Sequence, residues 1–444
     1  MSDIHSYFSF LLISSYINFR FSILTFIYRC IVHQFIENIY IFIVIININN
    51  FTKKYRNVIL NISKTDVTIR QKDMRRTVMK LFDKTWKLAI AGAIAGVLAV
   101  LLAVFGNPAN MAICVACFIR DTAGALNLHS AAPVQYFRPE IVGFVVGAFI
   151  ISLITKEYKA TAGSSPMIRF LLGMIMMIGA LVFLGCPLRM VIRMSAGDLN
   201  AYVALIGFVG GVATGTFFLK KGFSLGRAYE TKKTNGMVLP IALIVLLIIG
   251  VATGAYAAST EGPGSMHAPI AIALIVALII GAIAQMSRMC FAGSIRDVIL
   301  MKNFDLISII GALFVVMLIY NIASGNFHLS FTGQPIAHSQ HLWNILGMYV
   351  VGFGAVLAGG CPLRQLILAG QGSSDSAVTF LGMLLGAAFA HNFGLAGAAA
   401  KAATETEAAV AGGPAIAGKA AVIACIIVLF IIAATNKRNL KRGK

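Results

Sequence analysis

Apolar runs of near membrane-spanning length recur along the chain at about 87–105, 139–155, 168–184, 200–219, 237–257, 268–286, 305–323, 343–359, 376–396 and 418–435. Two segments between them, after Cys114 and after Cys290, are too polar and too short to span, and each carries an Arg-Asp pair. They are expected to be re-entrant or short helices lining a cavity, because irregular backbone at membrane depth is tolerated only where protein or water surrounds it. Small residues four apart, such as Gly143/Gly147 and Gly207/Gly211, predict closely packed helices. The pattern predicts an all-α polytopic membrane protein of about ten transmembrane segments.

Composition agrees. Hydrophobic residues make up 59% of the 444 and charged residues 12%, against about 25% charged in a soluble domain. The net charge of +20 does not point to nucleic acid, since no basic face with interleaved aromatics occurs. Much of it sits in short segments flanking apolar runs, where the positive-inside bias operates. Six Lys and Arg lie at 72–87, five at 220–236 and five at 437–444, whereas 258–267 and 324–342 have none. This alternation places both termini, 156–167 and 220–236 in the cytoplasm of a bacterial inner membrane, and 258–267, 324–342 and 397–417 outside.

The first 73 residues differ from the rest. They contain no Ala, Gly or Pro, so all 42 glycines follow them. Their Ile, Asn, Phe, Tyr, Lys and Ser are residues that AT-rich DNA tends to encode. A start assigned too early is expected, with Met74 or Met79 as the true one. The rival expectation is a hairpin or signal anchor formed by the apolar segments 7–28 and 35–48.

Two motifs recur together. Cys114-Val-Ala-Cys-Phe-Ile-Arg120-Asp121 returns as Cys290-Phe-Ala-Gly-Ser-Ile-Arg296-Asp297, and Gly185-Cys186-Pro187-Leu188-Arg189 returns as Gly360-Cys361-Pro362-Leu363-Arg364. The offsets, 176 and 175 residues, mark a duplicated unit. By the charge alternation Cys114 follows a span leaving the cytoplasm and Cys290 one entering it, so the halves are inverted. The expected organisation is 74–236 as a first half of four spans, 237–257 as a connecting span, 258–396 as the inverted second half of four spans, and 397–444 as outer loop, last span and basic tail. Inverted repeats place a substrate site at their interface near the membrane centre.

In Gly-Cys-Pro-Leu-Arg the proline suits a first helical position, where its missing N–H would be an orphan anyway, which puts the cysteine at the N-cap. Helix N-termini attract anions, and Arg189 and Arg364 return to the same face as their cysteines. Soft sulfur beside positive charge suits a small sulfur- or selenium-containing anion. Cys114, Cys186, Cys290 and Cys361 are therefore the candidate substrate-pathway residues, with Arg120, Asp121, Arg189, Arg296, Asp297, Arg364 and Cys117 supporting. Arginine in membrane segments is costly and usually functional, although structural Arg-Asp pairing is the competing reading for Arg120–Asp121 and Arg296–Asp297. Cys114 and Cys117 form a C-x-x-C, but Gly293 stands opposite Cys117 in the second half, which weighs against a redox or metal role. Cys30 and Cys425 read as packing residues, and His328, His338 and His341 as solvated loop residues. Asn107 and Asn110 could cap the first broken segment or line the path. No metal or cofactor is expected, and there is no G-x-x-x-x-G-K-[ST] phosphate-binding loop.

These twin motifs and their spacing resemble the YeeE/YedE family of sulfur transport membrane proteins over roughly 87–435, above all its YedE-type branch assigned to selenium metabolism. The resemblance implies a pseudo-twofold bundle with short helices converging from both sides. It implies cysteines at Cys114, Cys186, Cys290 and Cys361 that pass thiosulfate by S–H to sulfur hydrogen bonds, and a TusA-type soluble sulfur carrier as partner. The expected function is a permease for a sulfur- or selenium-containing solute, not an enzyme. The alternatives are a membrane sulfurtransferase with one reactive cysteine and a soft-metal transporter.

Overall fold

The computed structural model describes residues 84–108, 110–400 and 410–437. The expectations for 1–73 lie outside the described residues, and the helices below belong to the compact unit Arg75–Lys444. The first half contributes α1 (Thr85–Val104), α2 (Val115–Ala125), α3 (Pro139–Ile154), α4 (Pro166–Phe183), α5 (Pro187–Ser195) and α6 (Leu199–Lys220). A connecting helix α7 (Lys233–Thr253) leads to α8 (Ile270–Met286), α9 (Phe291–Met301), α10 (Asp305–Ala323), α11 (His341–Ala358), α12 (Pro362–Gly370) and α13 (Ser374–Asn392), and α14 (Ile416–Thr435) follows. Strand structure among the described residues is confined to a two-residue pair, 161–162 with 229–230.

Nine helical segments among the described residues are long and apolar enough to cross a membrane, with α4–α5, α8–α9 and α11–α12 each counted as one broken span. The tenth expected run, 376–396, is α13. Its 19 residues include Ser374, Asp375, Ser376, Thr379, His391 and Asn392, which make it less apolar than the other nine. It packs along α4, with Ser376 and Thr379 buried.

The halves are interchangeable as a pattern of contacts. α1 packs on α10 as α8 packs on α3; α4 on α13 as α11 on α6; α2 on α13 as α9 on α6; α5 on α10 as α12 on α3. α1 meets α8, and α4 meets α11, across the exchange itself. The Ala268 N–H, two residues before α8, donates to Asn107 Oδ1 just beyond the end of α1, at 3.0 Å. α1 and α8 are repeat mates and pack with the end of one beside the start of the other. The halves therefore run in opposite directions.

Glycines fix the closest crossings. A Cβ on Gly207 of α6 would collide with the Ile345 carbonyl of α11, and one on Gly382 of α13 with the Phe170 carbonyl of α4. Those two contacts are repeat mates. Polarity is reversed relative to a soluble protein. Among the largest fully buried side chains are Arg138, Arg189 and Arg193, while Ile241, Val245 and Ile248 of α7 and Val315 and Ile319 of α10 are exposed. An apolar exterior around a charged interior suits a bilayer.

Candidate functional site

Each of the four motif cysteines is the N-cap of a short helix: Cys114 of α2, Cys186 of α5, Cys290 of α9 and Cys361 of α12. Pro187 and Pro362 hold the first helical position after Cys186 and Cys361, as the sequence predicts. The N-cap role of Cys114 and Cys290 has no proline signal. Their sulfurs accept from the backbone N–H three residues on, Cys117 at 3.4 Å and Gly293 at 3.2 Å.

The fold brings these caps together in two pairs. Cys114 Sγ lies 3.7 Å from Cys186 Sγ, and Cys290 Sγ 3.8 Å from Cys361 Sγ. All four are free thiols and buried. Each pair sets two helix N-termini face to face, so the partial positive charge of both converges on the sulfurs. Since α1 and α8 run oppositely, the pair following each lies toward the opposite end of the bundle. The short helices link the halves: α2 packs on α12, and α9 on α5.

The arginines behave differently in the two halves. Arg189 is fully buried. Its Nε donates to the Asn110 carbonyl at 3.1 Å, Nη2 to Asn110 Oδ1 at 3.0 Å and to the Ile336 carbonyl at 3.4 Å, and Nη1 to Cys117 Sγ at 3.3 Å and to the Leu184 carbonyl. Arg189 thus reaches Cys117 rather than Cys186, and Cys117 serves as its acceptor. Arg364 makes one long hydrogen bond among the described residues, from Nη1 to Gln285 Oε1 at 3.5 Å. Asn110 and Gln285 each precede their arginine by 79 positions. That repeated spacing is a signal the motif reading missed, and it places Asn110 with Arg189 rather than as a helix cap.

The Arg-Asp pairs lie away from the thiols. Asp121 is seven positions along α2 from Cys114, about 10 Å at helical rise. It is bridged by Arg120 at 2.7 Å and by Arg138 at 2.8 Å, all three buried. Arg138 donates further to the Pro263 and Met266 carbonyls at 2.8 and 3.1 Å, tying the start of α3 to the 258–267 connection. Among the described residues Asp297 has Arg296 alone, at 2.8 Å, with both side chains partly exposed. Arg193 and Asp198, which the motifs do not include, form a further fully buried pair at 2.6 Å.

One histidine expectation is corrected. His338 is not solvated but buried. The 324–340 connection tucks into the bundle, where His338 Nε2 meets the Val182 carbonyl at 2.8 Å. Burial pushes its pKa down to about 4. His328 and His341 are exposed, as expected.

Inverted halves whose broken helices meet inside a membrane-type bundle define the architecture of a secondary transporter. The chain belongs to the sulphur transport family, whose model matches residues 35–188 and 286–444 and so takes in all four motif cysteines. It is also similar to the thiosulfate transporter TsuA of Spirochaeta thermophila, with 30% identity over 113 residues that cover 25% of this chain and 33% of that protein. The chain therefore matches about a third of the length of that curated relative. Family membership and the nine apolar helical segments among the described residues agree on a multi-pass membrane protein.

Proposed function

We propose that the chain is an inner-membrane permease for a thiosulfate-like anion, or a selenium compound of like shape, handed from one cysteine pair to the other. The observation that carries this reading is the pair of thiol contacts, one from each half, each at two facing helix N-termini. A thiol can donate to the terminal sulfur of thiosulfate, while the N-termini offset the anion's charge. The sulfurs of each pair touch, so a solute lodges there only when they part. Each pair then serves as a gate as well as a station, and opening them in turn gives alternating access. Neither station can bind tightly, or the solute would not leave it.

The basic 220–236 connection and tail support a cytoplasmic face at the Cys290–Cys361 end. A TusA-type carrier would meet the protein on that face, supported by the family resemblance alone. The test is uptake of labelled thiosulfate and selenium compounds by cells lacking their own route. Cys186→Ser and Cys361→Ser should abolish or strongly cut uptake at unchanged protein level, because serine lacks the soft, polarisable sulfur. Cys425→Ser should leave uptake intact. Parent-like transport by both motif variants would refute the cysteine path, and retained uptake with loss of persulfide transfer would favour the sulfurtransferase.

A further inference from the structure

Beside the second-half cysteine pair lies a cluster that joins Arg364 of the motif to three residues outside it. Arg364 is three residues after Cys361 and is 9% exposed. Arg288 is two residues before Cys290, in a left-handed conformation (φ 57°) that turns the chain from α8 into the Cys290 cap. Gln285 ends α8 and is buried. One carboxylate joins them. Glu157, in the connection between α3 and α4, accepts from Arg288 Nη2 at 2.9 Å through Oε1 and from Gln285 Nε2 at 3.2 Å through Oε2. Gln285 Oε1 in turn faces Arg364 Nη1 at 3.5 Å.

The first half contains the mate of this arrangement with different chemistry. There the connection between α10 and α11 covers Asn110 and Arg189. It does so with neutral backbone carbonyls, Pro335 accepting from Asn110 Nδ2 at 2.7 Å and Ile336 from Arg189 at 3.4 Å. Ala112 stands where the second half has Arg288, with the same left-handed turn (φ 36°). Arg189 also satisfies the Leu184 carbonyl at the helix break. In the second half Gln365 donates to carbonyls at the helix break, Ala358 and Gly360, at 3.0 and 3.1 Å, and among the described residues Arg364 bonds none there. Arg364 is thereby left with donors to spare. Its spare donors are not fully buried, so an anion can reach them and make the charge-assisted hydrogen bonds that the protein does not supply.

We propose that Arg364, Arg288 and Gln285 form an anion subsite for the oxyanion end of the solute, with Cys290 and Cys361 at its sulfur end, and that Glu157 fills this subsite in the closed form as a tethered competitor. This rests on the cysteine pairs being transport stations. With Glu157 in place the two guanidiniums and one carboxylate leave an excess of one positive charge. With Glu157 displaced, a dianion neutralises both arginines. The site therefore suits a divalent sulfur oxyanion, and an anion arriving from the other pair opens the mouth by replacing the carboxylate. No bond is made or broken. The first-half site has no such competitor, because neutral carbonyls cover it.

Equilibrium binding of labelled thiosulfate to the purified full-length protein tests this, with unliganded thermal stability and cellular uptake measured in parallel. Glu157→Gln keeps the hydrogen-bonding shape but removes the competing charge, and should bind about ten-fold tighter than the parent, one charged contact's worth. Arg364→Gln should bind about ten-fold weaker, and Arg364→Lys should recover part of the loss. Glu157→Ala, also tighter in binding, serves if the glutamine variant is poorly folded. A merely structural carboxylate would instead lower the melting temperature on substitution and leave binding unchanged or weaker, and that result overturns the proposal. Absence of thiosulfate binding in the parent and in both Glu157 variants overturns it as well. Binding that follows Glu157 and Arg364 while Cys186→Ser and Cys361→Ser transport like the parent would uphold the anion subsite and refute the cysteine path. Cysteine-dependent uptake with unaltered binding in the Glu157 and Arg364 variants would do the reverse.

Discussion

The two cysteine pairs are built on one scaffold and set in different surroundings. Each has thiols in contact, helix N-caps face to face, a left-handed residue two positions before the first cysteine, and an amide 79 positions ahead of the arginine. Around the first-half pair Arg189 is held by five acceptors, Asp121 by two arginines and the covering loop by His338. Around the second-half pair, among the described residues, Arg364 has one long bond and Asp297 one ion-pair partner, and Glu157 and Arg288 are partly exposed. Duplication preserved the thiols and the backbone that presents them, while the polar shell diverged. One half is rigid where the other is adjustable, so equivalent substitutions in the two halves should have unequal effects.

The largest inequality should come from the aspartates. Asp121→Asn leaves Arg120 and Arg138 buried without their counter-charge, and breaking such a buried arrangement costs about 3–5 kcal/mol. The variant should accumulate poorly and melt well below the parent. Asp297→Asn removes a partly exposed pair, worth about 0–1 kcal/mol, and should behave like the parent. Comparing folded yield and melting temperature of the two checks this, and equal losses would mean that the first half is no more rigid than the second.

The arginines come next. Lysine keeps the charge but cannot reach five acceptors arranged around a planar fork. Arg189→Lys should therefore lose about 2 kcal/mol or more, from several unmet buried acceptors at roughly 1 kcal/mol each. Arg364→Lys gives up one long bond and should stay within about 1 kcal/mol of the parent by the same measure. Thermal unfolding in detergent reads both, and a larger loss at Arg364 would reverse the assignment of which half is held fixed.

Much of this was legible in the chain. The apolar runs marked the spans, and Cys-Pro marked the N-caps of α5 and α12, because proline's missing N–H is a local fact. The caps at Cys114 and Cys290 were not legible. They depend on the left-handed turns at Ala112 and Arg288, and neither residue type announces that conformation. The pairing of thiols 72 and 71 positions apart is a tertiary event that no local pattern encodes. Glu157 and Gln285 escaped notice because they belong to no motif and meet only when α3 and α8 pack side by side. His338 read as a loop residue because hydropathy cannot say which loops fold inward.

The glycine crossings test the part of the comparison that should be equal. Gly207→Ala and Gly382→Ala each drive a methyl into a backbone carbonyl of the facing helix, an overpacking worth about 1–3 kcal/mol. As the contacts are repeat mates, the two melting temperatures should fall by similar amounts. A tolerated substitution at one site alone would show that the helix framework, and not only its polar shell, has diverged.

The smallest expected effect concerns acid. His338 accepts from the Gln340 N–H through Nδ1 at 3.3 Å and so donates through Nε2 to Val182. Protonation would place a second N–H where an acceptor is needed, and burial, the main cause, already holds the pKa down to about 4. A base whose pKa is lower in the folded state than in the unfolded chain stabilises the fold fully above about pH 6.5. That contribution is lost as the pH falls from there toward 4. At pH 5 the loss is at most about 2 kcal/mol. His338→Gln keeps one donor and one acceptor and does not titrate. Between pH 7.5 and 5 the parent's melting temperature should therefore fall further than the variant's. The second-half cover, the 155–165 connection, has no histidine, so the acid-sensitive cover should be the one over the rigid cysteine pair. Parallel declines in parent and variant would show that His338 does not hold that cover in place.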